Sequence, residues 1–238
     1  MTTPHDDIDP TITVEWVQIE RDGSTMRAYV AAPRDTTPST PSVVLAMHLW
    51  GLDRGTREAA RRFAVAGFAT IVPDLYARLD TPDPDATDDV RAFVPLARSL
   101  AFETVDPDIR ASARWIRARF PDGKTAIAGF CMGGVIATYR TAGYADLFSA
   151  AAVWYGLHRQ IDPANVEIPI VASYGADDTG IPVADVERFR AGLRVPHDVV
   201  VYPNAEHGFA DRRAAYQKDA AEDSWRRAIG FLTPRLRA

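Results

Sequence analysis

Apolar residues in this chain follow two different spacings, and each spacing predicts a different kind of element. Close to the start, residues 13–19 alternate like a strand with one solvent-exposed face, and residues 25–31 repeat the pattern after a polar turn at 21–24. From residue 43 onward, short runs are apolar throughout, which is typical of strands buried on both faces. These runs occupy residues 43–47, 69–72, 125–130, 150–155, 170–174 and 199–202. Stretches with helical spacing separate them, at residues 57–66, 109–119, 183–193 and 214–236.

The alternation of buried strands and helices predicts an α/β fold. We expect a mostly parallel central sheet of about seven or eight strands, with helices on both faces, in a single domain that spans residues 1–238. Residues 1–10 are polar and acidic and are predicted to form a flexible lead. The acidic, Pro-containing segment 79–95 is expected to be either a lid near the site or an inert solvated loop. In such a sheet, functional residues lie in loops at the carboxyl ends of the strands.

Composition and charge narrow the class of protein. The 238 residues carry a net charge of −5, which argues against general binding to nucleic acid or to a membrane surface. No apolar run approaches the roughly 18 residues that span a bilayer, and the polar start does not resemble a secretory signal. Together with the single cysteine, this predicts a cytoplasmic protein, which we expect to be a monomer or a homodimer.

The sequence Gly129-Phe130-Cys131-Met132-Gly133-Gly134 carries the clearest chemical signal. It follows a predicted strand and precedes a helix-like stretch at 135–139, so Cys131 stands at a sharp strand-to-helix turn. The nucleophile elbow of α/β-hydrolases, G-x-S-x-G, has this form with serine in place of cysteine. Because Cys131 is the only cysteine, it forms no internal disulfide. It is therefore either a small packing residue or a nucleophile.

A cysteine nucleophile needs a base and an acid, and the chain offers both in the order that this fold uses. His207 lies in the loop after the last predicted strand, and Asp177 and Asp178 follow the strand at 170–174. We prefer Asp178 as the acid, although either aspartate could instead cap the helix that begins near residue 183. The alternative for His207 is a solvated surface residue. The order of nucleophile, acid and histidine favours Cys131, Asp178 and His207.

These residues together resemble the dienelactone hydrolase family of α/β-hydrolases. The similar segments are the elbow, Asp178 four residues before Pro182, His207-Gly208-Phe209, and Pro73-Asp74-Leu75-Tyr76-Ala77-Arg78. The resemblance implies that Cys131, His207 and Asp178 open a small lactone or ester through a thioacyl intermediate. It implies that Arg78 binds a substrate carboxylate, and that no metal or organic cofactor takes part. Arg78 could instead be a surface arginine or pair with the acidic loop at 80–89.

The remaining site residues are predicted from their places at strand ends. The amides of Met132, at the start of the elbow helix, and of Leu49, after the third strand, are expected to form an oxyanion hole. Trp50 and Tyr76 are expected to line the substrate pocket, although aromatic residues are more often core.

Two positions depart from the pattern of the family. His48 stands where the family has a glutamate that helps to activate the thiol, and it could exchange a proton with Cys131 or form hydrogen bonds in the pocket wall. Asp211 stands where the family has a second carboxylate-binding arginine, and an aspartate would repel an anionic substrate. Arg212 could replace that arginine if the loop turns differently. These departures keep open two alternatives: a broader carboxylesterase or thioesterase that does not act on dienelactone, or a non-catalytic ligand-binding protein.

Overall fold

The computed structural model describes residues 8–21, 23–87 and 89–237, and these contain an eight-stranded sheet. The strands are β1 (Ile12–Arg21), β2 (Ser24–Pro33), β3 (Ser42–Ala46), β4 (Ala69–Pro73), β5 (Thr125–Phe130), β6 (Ala150–Trp154), β7 (Ile170–Gly175) and β8 (His197–Tyr202). Their order is β1-β2-β4-β3-β5-β6-β7-β8. The pairs β1–β2 and β2–β4 are antiparallel, and the other pairs are parallel. This confirms the predicted mostly parallel α/β sheet.

Helices cover both faces of the sheet. They are α1 (Arg54–Val65), α2 (Val94–Ser99), α3 (Phe102–Arg119), α4 (Met132–Tyr139), α5 (Val183–Gly192) and α6 (Lys218–Leu236). The crossover through α1 runs from β3 to β4, and the crossover through α3 runs in the opposite direction, from β4 to β5. Because such crossovers are right-handed, α1 and α3 lie on opposite faces. The final helix α6 returns to the face of α1, where the rings of Phe63 and Trp225 lie 4.6 Å apart.

Burial explains why the two strand patterns differ. Every residue of β3, β4 and β6 is buried, because helices cover these central strands on both sides. The edge strand β1 buries Ile12 and Ile19 but leaves Trp16 48% exposed. Residues 1–7 of the predicted lead and Asp22 of the predicted turn lie outside the described residues.

Several helix starts differ from the prediction. Helix α1 begins at Arg54, three residues before the predicted residue 57. Helix α3 begins seven residues before the predicted residue 109 and holds Pro107 inside it. Helix α6 begins at Lys218, so residues 214–217 belong to the preceding loop. The segment 79–95 is not entirely loop, because it contains a short 3₁₀ turn at Val90–Ala92 and the start of α2. The described residues contain no helix with both the length and the apolar character needed to cross a membrane.

Candidate active site

Cys131 occupies a strained position between β5 and α4. Its φ of 52° and ψ of −117° lie where residues with a side chain are rarely found, and such a conformation costs about 1–3 kcal/mol. The Cys131 amide donates a hydrogen bond to the Trp154 carbonyl (3.0 Å), which ties the turn to the neighbouring strand. The thiol is thereby presented at the carboxyl end of the sheet.

Glycine is required on both sides of this turn. A Cβ on Gly129 would lie 2.1 Å from the Gly133 carbonyl oxygen, and a Cβ on Gly133 would lie 2.1 Å from the Ala46 carbonyl oxygen. Both distances are far shorter than any van der Waals contact. The elbow helix can therefore pack against β3 and β5 only if these positions lack side chains.

Three of the predicted residues form a continuous hydrogen-bonded chain. The Nε2 atom of His207 lies 3.1 Å from Cys131 Sγ, and its Nδ1 atom lies 2.7 Å from Asp178 Oδ2. The second oxygen of Asp178 accepts hydrogen bonds from the amides of Gly180 (2.8 Å) and Ile181 (3.1 Å). The carboxylate is thus held by the backbone, and it in turn fixes the orientation of the imidazole.

The structure distinguishes between the two candidate acids. Asp178 is buried, with 4% of its surface exposed, whereas Asp177 is exposed and its amide donates to the Ala205 carbonyl (2.9 Å). Of the two aspartates, Asp178 is the one whose side chain forms a hydrogen bond with His207 in the described part of the chain (2.7 Å). The geometry therefore agrees with the preference for Asp178.

The electrostatic surroundings of His207 favour the protonated form of its imidazole. Burial alone would lower the pKa of His207, but the hydrogen bonds to Asp178 and Cys131 outweigh it and raise the pKa to about 10. Burial would likewise raise the pKa of Asp178, but its hydrogen bond to His207 and the backbone donors hold that pKa below its ordinary value. At neutral pH the site therefore contains an imidazolium between the Asp178 carboxylate and the Cys131 sulfur atom.

The two predicted oxyanion amides are both available. Within the described residues, neither the Met132 amide nor the Leu49 amide donates a hydrogen bond to another protein group. The Tyr76 hydroxyl donates to the Leu49 carbonyl (2.8 Å) and lies 3.8 Å from the Met132 sulfur atom. Tyr76 therefore links the two segments that carry these amides.

His48 lies in a network of charged groups. Its Nε2 atom lies 2.8 Å from Asp53 Oδ1, and its Nδ1 atom lies 3.5 Å from Asp211 Oδ2. Because both ring nitrogens face carboxylates, neither is directed at Cys131. Of the two roles considered for His48, the geometry matches hydrogen bonding in the pocket wall.

Sequence reasoning missed two members of this network, Asp53 and Arg213. Asp53 is fully buried and caps α1 by accepting a hydrogen bond from the Thr56 amide (2.8 Å), and Arg213 donates to its second oxygen (2.8 Å). Burial would raise the pKa of Asp53, but the hydrogen bond and charge of His48 hold it well below its ordinary value. An aspartate directly before a helix is a recognisable cap, which was the one available signal. The loop turns so that Arg213, not Arg212, enters the network.

The structure does not support three predicted substrate contacts. The guanidinium of Arg78 donates two parallel hydrogen bonds of 2.8 Å to the fully buried Asp108. The two N–H groups that were expected to hold a substrate carboxylate are therefore already bound to a protein carboxylate. Trp50 is packed against Phe93 and beneath the Arg213 guanidinium. It is 9% exposed and Tyr76 is 3% exposed, which leaves both rings as packing residues.

A cysteine on a strained strand-to-helix turn, with an imidazole and a carboxylate supplied by later loops, defines an α/β-hydrolase fold with a nucleophile elbow. Comparison with known proteins agrees. Residues 26–236 match the sequence model of the dienelactone hydrolase family. The chain belongs to this family, whose members are hydrolases that act on ester bonds.

Individual relatives show the same relationship. A candidate carboxymethylenebutenolidase of Escherichia coli strain K12 is 31% identical over 240 residues, covering 94% of this chain and 88% of the relative. A candidate carboxymethylenebutenolidase of Yersinia pestis is 32% identical over 234 residues, covering 90% of this chain and 86% of the relative. The crystal structure of a candidate dienelactone hydrolase from Klebsiella pneumoniae subsp. pneumoniae MGH 78578 has a TM-score of 0.80 and 30% identity, covering 93% of this chain and 98% of that chain.

Proposed function

We propose that this chain is a cysteine-dependent hydrolase that opens a small lactone or ester through Cys131, His207 and Asp178. The observation that carries the proposal is the hydrogen-bonded chain from Sγ through the imidazole to the buried carboxylate, with distances of 3.1 and 2.7 Å. A non-catalytic binding protein would need neither the hydrogen bonds that connect Cys131, His207 and Asp178 nor the strained backbone at Cys131.

In the acylation step, the Cys131 thiolate attacks the carbonyl carbon of the substrate and a C–S bond forms. The carbonyl oxygen becomes an oxyanion that the Met132 and Leu49 amides can bind, and one such donor contributes about 10²- to 10³-fold to the rate. The intermediate then breaks its C–O bond, and the His207 imidazolium gives its proton to the leaving oxygen. A thioacyl-enzyme and a neutral imidazole remain.

In the deacylation step, the neutral His207 takes a proton from water, whose oxygen attacks the thioester carbon. The C–S bond breaks, the acid is released, and the thiolate and imidazolium are regenerated. Asp178 keeps the imidazole in the required tautomer and stabilises its charged form in both steps.

A second candidate function, a carboxylesterase or thioesterase that does not act on dienelactone, is favoured by specific observations. Arg78 is paired with Asp108, and Asp211 places a carboxylate near the site. Both features weaken binding of an anionic lactone. Small uncharged esters are therefore the substrates that this site fits best.

The deciding experiment measures hydrolysis of cis- and trans-dienelactone and of a short-chain nitrophenyl ester, with EDTA present, for the wild type, Cys131→Ala and Asp178→Asn. We expect no turnover by Cys131→Ala and about 10³- to 10⁴-fold slower turnover by Asp178→Asn. Turnover of the nitrophenyl ester alone would select the second candidate. Wild-type rates in Cys131→Ala would overturn the mechanism.

A further inference from the structure

A cavity of about 180 Å³ lies beside the proposed catalytic residues, between α1 and α6. It shares walls with the site, because its lining includes Phe130, which directly precedes Cys131, and Tyr155, whose ring lies 5.2 Å from the His207 ring. Neither Cys131 nor His207 lines it. The cavity is therefore separate from the reacting atoms but adjacent to them.

The floor of the cavity is apolar and aromatic. Leu45 and Trp154 come from the sheet, and Ala59 and Ala221 come from the two helices. The Trp154 and Trp225 rings stack with centroids 5.7 Å apart. An apolar cavity of about 150 Å³ is large enough to bind benzene, so this one can accept a six-membered ring or a short branched chain.

The rim of the cavity carries an excess of positive charge, although the whole chain has a net charge of −5. Four arginines and two carboxylates line it: Arg54, Arg62, Arg212 and Arg213 with Glu58 and Asp211. The charge of Arg213 is already paired with Asp53, at 2.8 Å, so four cations face three carboxylates. Asp211 already faces His48, at 3.5 Å. The cavity therefore attracts anions where the surface as a whole repels them.

Two of these arginines are suited to receive an anion. The Arg62 guanidinium lies 4.2 Å from the Trp225 ring centroid, and the Arg212 guanidinium lies 5.2 Å from the Tyr216 ring centroid. Among the described residues, neither forms an ion pair with a carboxylate. Burial lowers the pKa of Arg62, and the charge of Arg212 acts in the same direction, whereas Glu58, Tyr216 and Glu222 act in the opposite direction. A bound anion would compensate the two neighbouring cations.

We propose that this cavity binds a small carboxylate with an apolar body, such as an aromatic monocarboxylic acid. The ring lies on the floor formed by Leu45 and Trp154, and the carboxylate meets Arg62 and Arg212 at the rim. Guanidinium groups suit this ligand because their planar donors match the two carboxylate oxygens. The proposal does not depend on the chemistry at Cys131, because an acid binds without being turned over.

Calorimetric titration of the full-length protein with benzoate, and with benzamide as the uncharged analogue, tests the proposal. Tryptophan emission provides a second readout because Trp154 and Trp225 line the cavity. We expect benzoate to bind and to change the emission, and each of Arg62→Gln and Arg212→Gln to weaken binding by about tenfold, as for one lost charge-assisted hydrogen bond. The matched control is Arg188→Gln, an exposed arginine on α5 whose partner is Asp185.

A further variant tests the location of the ligand. Ala59→Phe places a ring inside the cavity, so it should abolish benzoate binding while the urea midpoint shows that the chain still folds. Benzoate binding that survives in Ala59→Phe would overturn the proposal. So would equal binding of benzamide, an equal loss in Arg188→Gln, or the absence of heat and emission change at about 20 mM benzoate.

Discussion

Asp53 is the residue on which the charged network beside the site depends, and its replacement gives the sharpest test of that network. The carboxylate is fully buried and has three partners, each at 2.8 Å: the imidazole of His48, the amide of Thr56 and the guanidinium of Arg213. Arg213 also donates to the carbonyls of Pro84 and Thr87, so Asp53 indirectly holds the acidic loop.

The size of the effect follows from these contacts. Asp53→Ala removes a helix cap, worth about 1 kcal/mol, and leaves the partly buried Arg213 without its carboxylate. Breaking one side of such a pair costs about 3–5 kcal/mol in total. Asp53→Asn keeps an oxygen that can cap the helix, because asparagine caps as well as aspartate does. It loses only the charge, so we expect a cost of about 2–3 kcal/mol.

Urea unfolding at neutral pH measures these differences, since the free energy of unfolding falls linearly with urea concentration. The matched control is Asp85→Asn, which removes an exposed carboxylate that pairs with Arg57 at 2.8 Å. An exposed pair contributes about 0–1 kcal/mol. The reasoning is refuted if Asp53→Asn costs no more than Asp85→Asn, or if Asp53→Ala costs no more than Asp53→Asn.

The pH dependence of the same comparison has a definite sign. Because the pKa of Asp53 is held well below its ordinary value of 3.8 by His48 and the backbone against the effect of burial, its charge stabilises the fold fully above that ordinary value. The stabilisation is lost as the pH falls through the lower pKa of the folded protein. The difference between the wild type and Asp53→Asn should therefore stay constant down to about pH 5 and then shrink.

The elbow, the base loop and the Arg78 ion pair each give a further testable outcome. Gly133→Ala should cost about 3 kcal/mol or more, because the new Cβ would lie 2.1 Å from a backbone oxygen; a native-like thermal unfolding curve would contradict this. His207→Gln should destabilise the protein more at about pH 6 than at about pH 10.5. The His207 pKa is raised to about 10 against the lowering effect of burial, so its contribution is complete below about 6.5 and is lost as the pH rises through 10; equal urea midpoint shifts at both pH values would count against it. Arg78→Ala should cost about 2 kcal/mol, because it leaves the buried Asp108 with one partner fewer, and should not change the turnover of an uncharged ester. Unchanged stability with a specific loss of activity on a carboxylated ester would show that Arg78 binds substrate instead.

The sequence was sufficient for the parts of the fold that depend on local pattern. Strands β3 to β8 were visible because each is apolar throughout, and the elbow was visible because glycines flank Cys131 at fixed positions. The place of His207 followed from the order of elements, since the loop after β8 lies at the same edge of the sheet as the elbow. All of these features can be predicted without knowing which way each side chain points in the folded protein.

The parts that could not be predicted depend on partners distant in the sequence. Arg78 pairs with Asp108, thirty residues away on α3, and Arg213 pairs with Asp53, 160 residues away. Nothing in the local sequence tells whether an arginine at the end of a strand meets a substrate or a buried carboxylate. The predicted start of α3 at residue 109 is seven residues too late, because the helix continues through Pro107 towards the amino terminus.

The two departures from the family pattern, His48 and Asp211, are in contact with each other in the folded protein. Their side chains face each other at 3.5 Å, so a basic and an acidic group meet where the resemblance implies an acidic group at 48 and a basic one at 211. Position 48 therefore carries an imidazole and position 211 carries a carboxylate, and the two groups contact each other. This difference is expected to change which substrates bind, because the residue in the loop that carries His207 is a carboxylate.

Asp211 should accordingly select against anionic substrates. Two like charges about 6 Å apart at an effective dielectric constant near 40 repel each other by about 1.4 kcal/mol, which is about tenfold in rate. We therefore expect Asp211→Asn to raise kcat/KM for an anionic ester such as nitrophenyl hemisuccinate about tenfold relative to a neutral nitrophenyl ester. Asp177→Asn, which removes an exposed carboxylate outside the network, is the matched control. The gain should shrink at high salt, since screening weakens the repulsion in the wild type. If the ratio of the two substrates does not change in Asp211→Asn, the carboxylate does not set the charge preference of this site.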